Sequence, residues 1–520
     1  MDNATDPIVA TSSGDVRGAW KSGGAVFLGI PYAAAPVGDL RYAAPQPPQP
    51  WSEVRDATQP GPTPQRRLLG LEPSFPEPCI PGDETLNVNV FTPAPGEPGR
   101  RLPVMVWIHG GAFAAGSPAS PWYDGRSFSR DGVVVVTLSY RLGFGGFGWI
   151  ADAPVNRGTL DQIAALEWVR DNIAAFGGDP AAVTIAGQSA GGTSVMTLFT
   201  APRAQSLFRA AICMSGADRV QTMAQAEQTG RALAASAGVE PTVAGWSALT
   251  EDQALDAQDA FRIATPSGPI DPAAFVRHAL TATGDQGMPF GPVIDGDLLP
   301  RSVSDALAGG VAADKPLLIG VTAHEFTLWM LDAEEQLRGV DVAEAMVEAG
   351  LARELAADYV ASHPELPSAA ALLGQLTGIR TFRQPMAHWT DLRAKTSPDT
   401  TWLYDFRWPS PFYSDLAVHC VELPFAWDLL DADGVARTHG PNPPDDLAEV
   451  THAAWVAFVA HADPGWRPGS HGVGMVFNET SGEQPVLEIE RRLASAAVEA
   501  WPAEAPGVDD LSGPPSPGDA

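Results

Sequence analysis

The sequence predicts an α/β fold in which a mostly parallel central sheet is flanked by helices. The first observation is that short, fully apolar runs, typical of buried strands, recur along the chain. The second is that stretches with helical periodicity separate these runs, and strands that alternate with helices form parallel sheets. The third is that 45% of the 520 residues are hydrophobic, which is enough for a large buried core.

Five apolar runs are predicted to be buried strands. They are Val104–Ile108, Val133–Leu138, Val183–Ile185, Leu317–Ile319 and Trp402–Tyr404. One helix is well marked, because apolar residues recur at steps of three and four between Ile163 and Phe176. Gly177 and Gly178 follow this pattern and are expected to end the helix.

The chain is expected to form one domain over residues 1–501. Residues 220–285 and 330–395 are Ala-rich, acidic and helical in pattern, and we predict that they are helical insertions over the active-site end of the sheet. The tail at 502–520 is rich in Pro, Gly and Asp, and this composition predicts disorder.

The charge balance limits the partners of the protein. There are 32 Lys and Arg against 62 Asp and Glu, a formal net charge of −30, so nucleic acid and anionic membrane surfaces are disfavoured. The first residues, Met1–Asp6, are acidic and contain no apolar signal sequence. Three cysteines at spacings that match no disulfide framework or zinc site indicate reduced thiols. These features predict a cytoplasmic protein.

The segment Gly187–Gly191, of sequence GQSAG, lies between a predicted strand and a helix-compatible stretch. A serine at a sharp strand-to-helix turn needs small neighbours, because its backbone is strained and larger side chains would clash. The helix N-terminus that follows also favours negative charge. Ser189 is therefore the candidate nucleophile. The alternative is a glycine-rich turn whose serine has no chemical role.

A second glycine-rich segment, His109–Phe113 (HGGAF), follows the predicted strand at 104–108. A nucleophile that attacks a carbonyl creates an oxyanion, which backbone N–H groups stabilise when no side chain obstructs them. The small residues of this segment supply such groups. Alone it would be an ordinary glycine turn, but together with the serine turn it predicts an oxyanion hole.

These two segments resemble those of the type-B carboxylesterase/cholinesterase family of α/β-hydrolases. Four further segments carry the resemblance, in family order: Phe27–Ala33, Val88–Pro93, Asn172–Pro180 and Pro292–Gly296. The resemblance implies the α/β-hydrolase fold and a bacterial-type carboxylesterase. It also implies hydrolysis of a small-molecule carboxylic ester through an acyl-enzyme intermediate, with no metal or organic cofactor.

A serine nucleophile needs a base, and the base needs a carboxylate to orient it. The chain order of this fold, nucleophile then acid then base, excludes the histidines before Ser189 but leaves several others open. The resemblance implies that Glu325 is the acid and that His419 is the base. By the same resemblance, the oxyanion hole consists of the N–H groups of Gly111, Ala112 and Ala190.

Other titratable residues compete for these roles. Asp295 is an alternative acid, although an Asp-Gly step is more typical of a turn. Glu422 is expected to be a buried structural carboxylate, and His324 would break the chain order. His452 and His461 lie in an amphipathic helical pattern and are expected to be packed or solvated.

The sequence departs from the cholinesterase pattern in ways that affect the substrate. The places that match a disulfide of extracellular family members, at 61–65 and 83–86, contain no cysteine, which supports a reducing compartment. The loop between them offers only the aromatic Phe75, and Gln188 stands where cholinesterases have a glutamate. Attraction for a quaternary ammonium group is weakened in both respects, so an uncharged, apolar ester is the expected substrate.

The sequence is compatible with two alternatives to a general carboxylesterase. An amidase, carbamate hydrolase or specialised detoxifying esterase would use the same triad. A non-catalytic, adhesion-type binding protein would share the fold, but such members typically lose the nucleophile, and this chain has Ser189. The sequence leaves open whether the protein is a monomer or a homodimer.

Overall fold

The structure is a computed structural model that describes residues 6–67, 76–261, 270–281 and 289–500. Its strands are β1 Ile8–Thr11, β2 Gly14–Arg17, β3 Ala19–Lys21, β4 Gly24–Pro31, β5 Arg55–Asp56, β6 Asn87–Thr92, β7 Leu102–Ile108, β8 Val134–Leu138, β9 Gly178–Gln188, β10 Ala210–Met214, β11 Gln221–Thr222, β12 Val293–Ile294, β13 Leu317–Thr322, β14 Thr401–Phe406, β15 Val473–Phe477 and β16 Gly482–Pro485. All five runs predicted to be strands form strands. The predicted disordered tail at 502–520 lies outside the described residues.

Helices connect these strands. They are α1 Arg126–Arg130, α2 Gly143–Phe147, α3 Arg157–Asn172, α4 Ala190–Thr200, α5 Met223–Ser236, α6 Val243–Ser247, α7 Glu251–Phe261, α8 Pro272–Thr281, α9 Val303–Ala308, α10 Val342–Glu348, α11 Arg353–Ala361, α12 Ala369–Gly378, α13 Gln384–Thr396, α14 Leu423–Ala426, α15 Val435–His439, α16 Asp445–His461 and α17 Glu488–Ala500. The two stretches predicted to be helical insertions contain α5–α8 and α10–α13.

The central sheet has eleven strands in the order β16-β15-β14-β13-β10-β9-β7-β8-β6-β4-β3. The seven strands from β15 to β8 in this order run parallel, whereas the strands beyond them at both edges pair antiparallel. Parallel strands are buried on both faces, which explains why β8, β10, β13 and β14 are wholly buried and apolar in pattern. The predicted mostly parallel sheet is confirmed.

The marked helix differs from its prediction at both ends. Helix α3 begins at Arg157, after Asn156 in a left-handed conformation with φ 59°, and Ile173–Phe176 forms a separate 3-10 turn. Gly177, with φ 82°, ends the helical segment as predicted, because glycine adopts this conformation without a steric penalty. Gly178, however, already belongs to β9.

The chain divides into two compact units, and each is described here by itself. The first contains the described residues up to 261, 289–325 and 381–486, and the whole central sheet lies in it. The second contains 270–281, 326–380 and 487–500 and is built of helices. In the second unit, α12 packs against the 3-10 segment Thr327–Ala333 and against α8, while α10 contacts α11.

Candidate active site

Four neighbouring parallel strands, β7, β9, β10 and β13, end at the same edge of the sheet. Their register pairs Ile108 with Gly187, Gln188 with Met214, and Met214 with Gly320. The residues that directly follow these strands are therefore neighbours in space. In α/β sheets, ligands bind outside the carboxyl ends of the strands, so this edge is the candidate site.

Ser189 lies at a strained turn between β9 and α4. Its backbone has φ 59° and ψ −124°, a conformation that costs a non-glycine residue free energy. The turn is held because Ser189 N–H donates to Met214 O at 2.9 Å. A Cβ at Gly191 would lie 2.0 Å from Ile108 O, and one at Gly187 would lie 2.5 Å from the Gly191 backbone. Only glycine fits at either position, as the sequence predicted.

Glu325 and His419 lie in direct contact. The Oε2 atom of Glu325 accepts a hydrogen bond from Nδ1 of His419, and the backbone N–H of His419 donates to Glu325 O at 3.1 Å. The other carboxylate oxygen accepts from Ser215 Oγ at 2.6 Å and from Thr322 N–H at 3.0 Å. The Glu325 side chain is fully buried. With these bonds at both its oxygens, this carboxylate can orient the imidazole.

The imidazole of His419 is also held on its other sides. The Phe382 ring stacks on it at a centroid distance of 4.7 Å and an interplanar angle of 27°. At the far nitrogen, Nε2 of His419 lies 3.2 Å from Nε2 of Gln188, the residue next to Ser189. Nε2 of His419 therefore faces the serine turn.

The segment after β7 forms a tight, strained loop beside Ser189. Gly111, Ala112 and Phe113 have φ values of 109°, 54° and 59°, all in the left-handed half of the backbone map. A Cβ at Gly110 would lie 3.1 Å from Ser189 Cβ, which locates the loop next to the serine. The small residues predicted there are thus required by the close approach.

The three N–H groups expected to form the oxyanion hole are those of Gly111, Ala112 and Ala190. Within the described parts of the chain, none of them donates to a protein acceptor. Ala190 is the first residue of α4, where helical N–H groups lack an intrahelical partner. The three groups can therefore donate to an oxyanion.

The side chain of His109 supports this loop. Its Nδ1–H donates to Gly110 O at 2.8 Å, its carbonyl accepts from Tyr140 OH at 2.9 Å, and its ring stacks on Tyr140 at 4.6 Å. Burial lowers the pKa of His109 to about 4, so the ring is neutral near pH 7. From the other side, Gln65 Oε1 accepts from Gly116 N–H at 2.6 Å.

Asp295, the alternative acid, has a different environment from Glu325. Asp295 Oδ1 accepts from the backbone N–H groups of Asp297 at 3.0 Å and Leu299 at 2.9 Å, while Oδ2 accepts from Asn156 Nδ2 at 2.9 Å. These are the bonds of a structural turn. Glu422 is buried, and neither of its carboxylate oxygens has a hydrogen-bond partner in the described chain.

The competing histidines are also engaged elsewhere. His324 Nδ1 accepts from Ala417 N–H at 3.0 Å. His452 is buried, with Nδ1 bonded to Ala426 O at 2.9 Å and Nε2 lying 3.1 Å from Asp131 Oδ2. His461 is exposed at the end of α16.

Sequence reasoning missed three residues of this site: Ser215, Phe382 and the amide of Gln188 as a contact of His419. Ser215 directly follows the buried strand β10 and has φ 47°. A polar residue at the end of a buried parallel strand was the signal that could have revealed it. The contacts of Phe382 and Gln188 with His419 leave no local signal, because both residues are far from His419 in the sequence, Gln188 by 231 residues.

Over the described residues, no cluster of three or more His, Cys, Asp or Glu side chains could hold a metal ion. Within the same part of the chain, every helix is too short or too polar to cross a bilayer.

The fold and the contacts at this edge of the sheet define a serine hydrolase of the α/β-hydrolase fold. The chain belongs to the carboxylesterase family, whose family model matches residues 5–500. It is 36% identical over 498 residues to the para-nitrobenzyl esterase of Bacillus subtilis (strain 168), covering 94% of this chain and 96% of that protein. It is therefore a carboxylic ester hydrolase.

Two other proteins are similar along most of the chain. The phenmedipham hydrolase of Pseudarthrobacter oxydans is 33% identical over 476 residues, covering 88% of this chain and 91% of that one. Among solved structures, the Geobacillus stearothermophilus carboxylesterase EST55 superposes with a TM-score of 0.78 at 32% identity, covering 94% of this chain and 99% of that one.

Proposed function

We propose that Ser189, His419 and Glu325 are the catalytic triad of this ester hydrolase. The observation that carries the proposal is the contact between the Glu325 carboxylate and His419 Nδ1, with His419 Nε2 turned towards the serine turn. A carboxylate at Nδ1 keeps the proton there, so that the lone pair that accepts the serine proton is on Nε2, and it stabilises the imidazolium that forms.

The reaction proceeds in two halves. His419 takes the Ser189 proton as Oγ attacks the ester carbonyl, and the imidazolium then protonates the departing alcohol, leaving an acyl-serine. Water, deprotonated by His419, attacks the acyl-serine and releases the carboxylic acid. The N–H groups of Gly111, Ala112 and Ala190 donate to the oxyanion in both halves, and removing one such donor typically costs about 100- to 1000-fold in rate. No step calls for a metal or organic cofactor.

The proposed substrates are uncharged, apolar esters. Gln188 carries no charge beside Ser189, so this position offers no electrostatic attraction for a cationic alcohol. Phe75, the other residue in this argument, lies outside the described residues. The names of two relatives, para-nitrobenzyl esterase and phenmedipham hydrolase, support testing para-nitrobenzyl esters and phenmedipham as substrates as well.

The proposed setting is the cytoplasm, with a small-molecule ester as partner and with no nucleic acid or membrane. Cys79, Cys213 and Cys420 are all free thiols, as expected in a reducing compartment. The net charge of −30 disfavours polyanionic partners. A monomer and a homodimer are both compatible with this proposal.

The experiment is the release of p-nitrophenol from acetate, butyrate and octanoate esters by the wild type and by Ser189→Ala. Losing a triad serine is expected to lower kcat by on the order of 10⁶-fold. The matched control is Ser194→Ala, since Ser194 is a buried serine on α4 whose Oγ accepts from Gln162. Equal activity in Ser189→Ala and the wild type would overturn the assignment of the nucleophile.

A further inference from the structure

Gln188 is a buried, uncharged residue directly before Ser189 in the chain. It is the last residue of β9, and it is 1% exposed. Its side-chain Nε2 lies 3.2 Å from Nε2 of His419, within hydrogen-bond distance of the nitrogen that must accept the proton of Ser189. The amide and the serine hydroxyl are therefore both donors for one lone pair.

The direction of this hydrogen bond follows from the opposite side of the ring. Glu325 Oε2 contacts Nδ1 of His419, and a carboxylate only accepts, so the neutral imidazole carries its proton on Nδ1. Nε2 then presents a lone pair, to which the NH₂ group of the Gln188 amide donates. The reverse orientation would direct the amide oxygen at this lone pair and is repulsive. The Glu325 contact thus determines the orientation of the amide as well.

The oxygen of the Gln188 amide lies near Gly110. A Cβ built at Gly110 would be 3.2 Å from Gln188 Oε1 and 2.9 Å from Gln188 O. The oxygen therefore faces the loop that carries the proposed oxyanion donors, while the nitrogen faces the base. Gly110 leaves the space in which this side chain fits.

We propose that Gln188 is a positioning residue that holds His419 as a neutral base, with Nε2 directed at the serine turn, until the Ser189 hydroxyl takes over the hydrogen bond. The inference rests on the proposed function of His419 as the base. An amide that donates to Nε2 stabilises the neutral imidazole and has no favourable contact with the imidazolium in the same orientation. The residue would therefore extend activity to lower pH.

Other titratable groups surround His419. Glu325 contacts Nδ1 of the imidazole. Glu422 is buried, and burial, followed by the charge of Glu325, raises its pKa to about 8, so it is largely neutral near pH 7. Burial, followed by the charge of Glu422, also raises the pKa of Cys420, which hydrogen-bonds with Gln188 and stays a neutral thiol. The uncharged Phe382 ring covers one face of the imidazole.

Two substitutions at Gln188 separate the effect of the hydrogen-bond donor from the effect of the shape of the side chain. Gln188→Met keeps a similar length and removes the hydrogen bond. Gln188→Glu keeps the length and replaces the donor with a carboxylate, which favours the imidazolium at this distance. The matched control is Gln162→Met, because Gln162 is a fully buried glutamine whose amide donates to Ser194 Oγ at 2.9 Å, away from the triad.

The first measurement is a pH titration of His419 by NMR in protein labelled with ¹³C-histidine, assigned with His419→Gln. The expected midpoint rises by about one pH unit in Gln188→Glu and by less than about half a unit in Gln188→Met, and stays unchanged in Gln162→Met. The second measurement is kcat/KM for p-nitrophenyl butyrate from pH 5 to 9. The acid limb of the kcat/KM profile is expected to move by the same amounts as the NMR midpoint. KM is expected to change less than about threefold.

A midpoint in Gln188→Met equal to or below that of the wild type would overturn the proposal, as would an equal shift in Gln162→Met. A loss of kcat at all pH values with an unmoved acid limb would also overturn it, because that result indicates a structural role. The NMR titration does not depend on turnover. It therefore tests Gln188 even if Ser189→Ala retains full activity and the proposed nucleophile is wrong.

Discussion

Ser215 Oγ donates to Glu325 Oε1 at 2.6 Å, and both residues lie buried at the carboxyl ends of adjacent strands. The same carboxylate contacts His419 through its other oxygen. Ser215 thus fixes the rotation of the carboxylate that contacts His419, the proposed base. A hydroxyl that lies two contacts away from the proposed base has a role in positioning, which leads to the first prediction.

Replacing Ser215 with alanine is expected to lower kcat for p-nitrophenyl butyrate by about 10- to 100-fold. A hydrogen bond to a charged group contributes about 1.5–3 kcal/mol, and its loss leaves the Glu325 carboxylate held by the Thr322 N–H alone at that oxygen. KM should change little, because Ser215 is fully buried and its hydroxyl is bonded to Glu325. Ser194→Ala is the control, and a similar loss in that variant would refute a specific role for Ser215.

Replacing Gly111 with alanine is expected to lower kcat by about 100- to 1000-fold. The new Cβ would lie 2.2 Å from Ala115 O, so the loop must move and a proposed oxyanion donor is displaced. Gly132→Ala isolates the cost of positive φ, since Gly132 has φ 83° and no atom within 4 Å of the added Cβ. Steady-state kinetics measure kcat for both variants. Equal kcat values in Gly111→Ala and Gly132→Ala would contradict the prediction that displacing the loop lowers kcat.

Glu422 is predicted to destabilise the folded protein as the pH rises. Burial raises its pKa from 4.5 to about 8, so the unfolded chain releases this proton first and folding stability falls between about pH 4.5 and 8. Glu422→Gln has no carboxyl group to titrate, so its stability does not fall in this way. The free energy of unfolding of Glu422→Gln minus that of the wild type should therefore increase by about 2–4 kcal/mol from pH 5 to pH 8.

Urea unfolding followed by tryptophan fluorescence at the two pH values measures this difference. The control is Glu53→Gln, in which an exposed carboxylate is replaced. If the difference between Glu422→Gln and the wild type is the same at pH 5 and pH 8, the carboxyl group does not remain protonated in the folded state.

Arg141 forms a buried ion pair with Asp161 of α3. Arg141 donates to both Asp161 oxygens, at 2.7 and 2.8 Å, and the two side chains are 7% and 0% exposed. Asp161→Asn leaves a buried guanidinium without its counter-charge, which should lower the free energy of unfolding by about 3–5 kcal/mol. The exposed pair Arg170–Asp171 is the comparison, and Asp171→Asn should cost less than about 1 kcal/mol. Similar losses in the two variants would contradict this reasoning.

The sequence by itself determined the elements that depend on local pattern. The strand runs, the marked helix and the glycine-flanked serine are properties of short segments, because hydrophobic periodicity and the space left by glycine act between close neighbours. The predicted boundaries of the marked helix differed from the observed ones. Gly178 belongs to a strand and not to a helix end, since the sheet extended β9 by pairing it with its neighbours.

Only the tertiary structure decided which distant side chains meet. The order of strands in the sheet brings Ser215 to Glu325 across 110 residues and Gln188 to His419 across 231. Resemblance alone had selected Glu325 and His419 from several carboxylates and histidines. Strand order and register are set by the packing of the whole core, and no local segment carries that information. The contacts that orient the base were therefore decided by the fold.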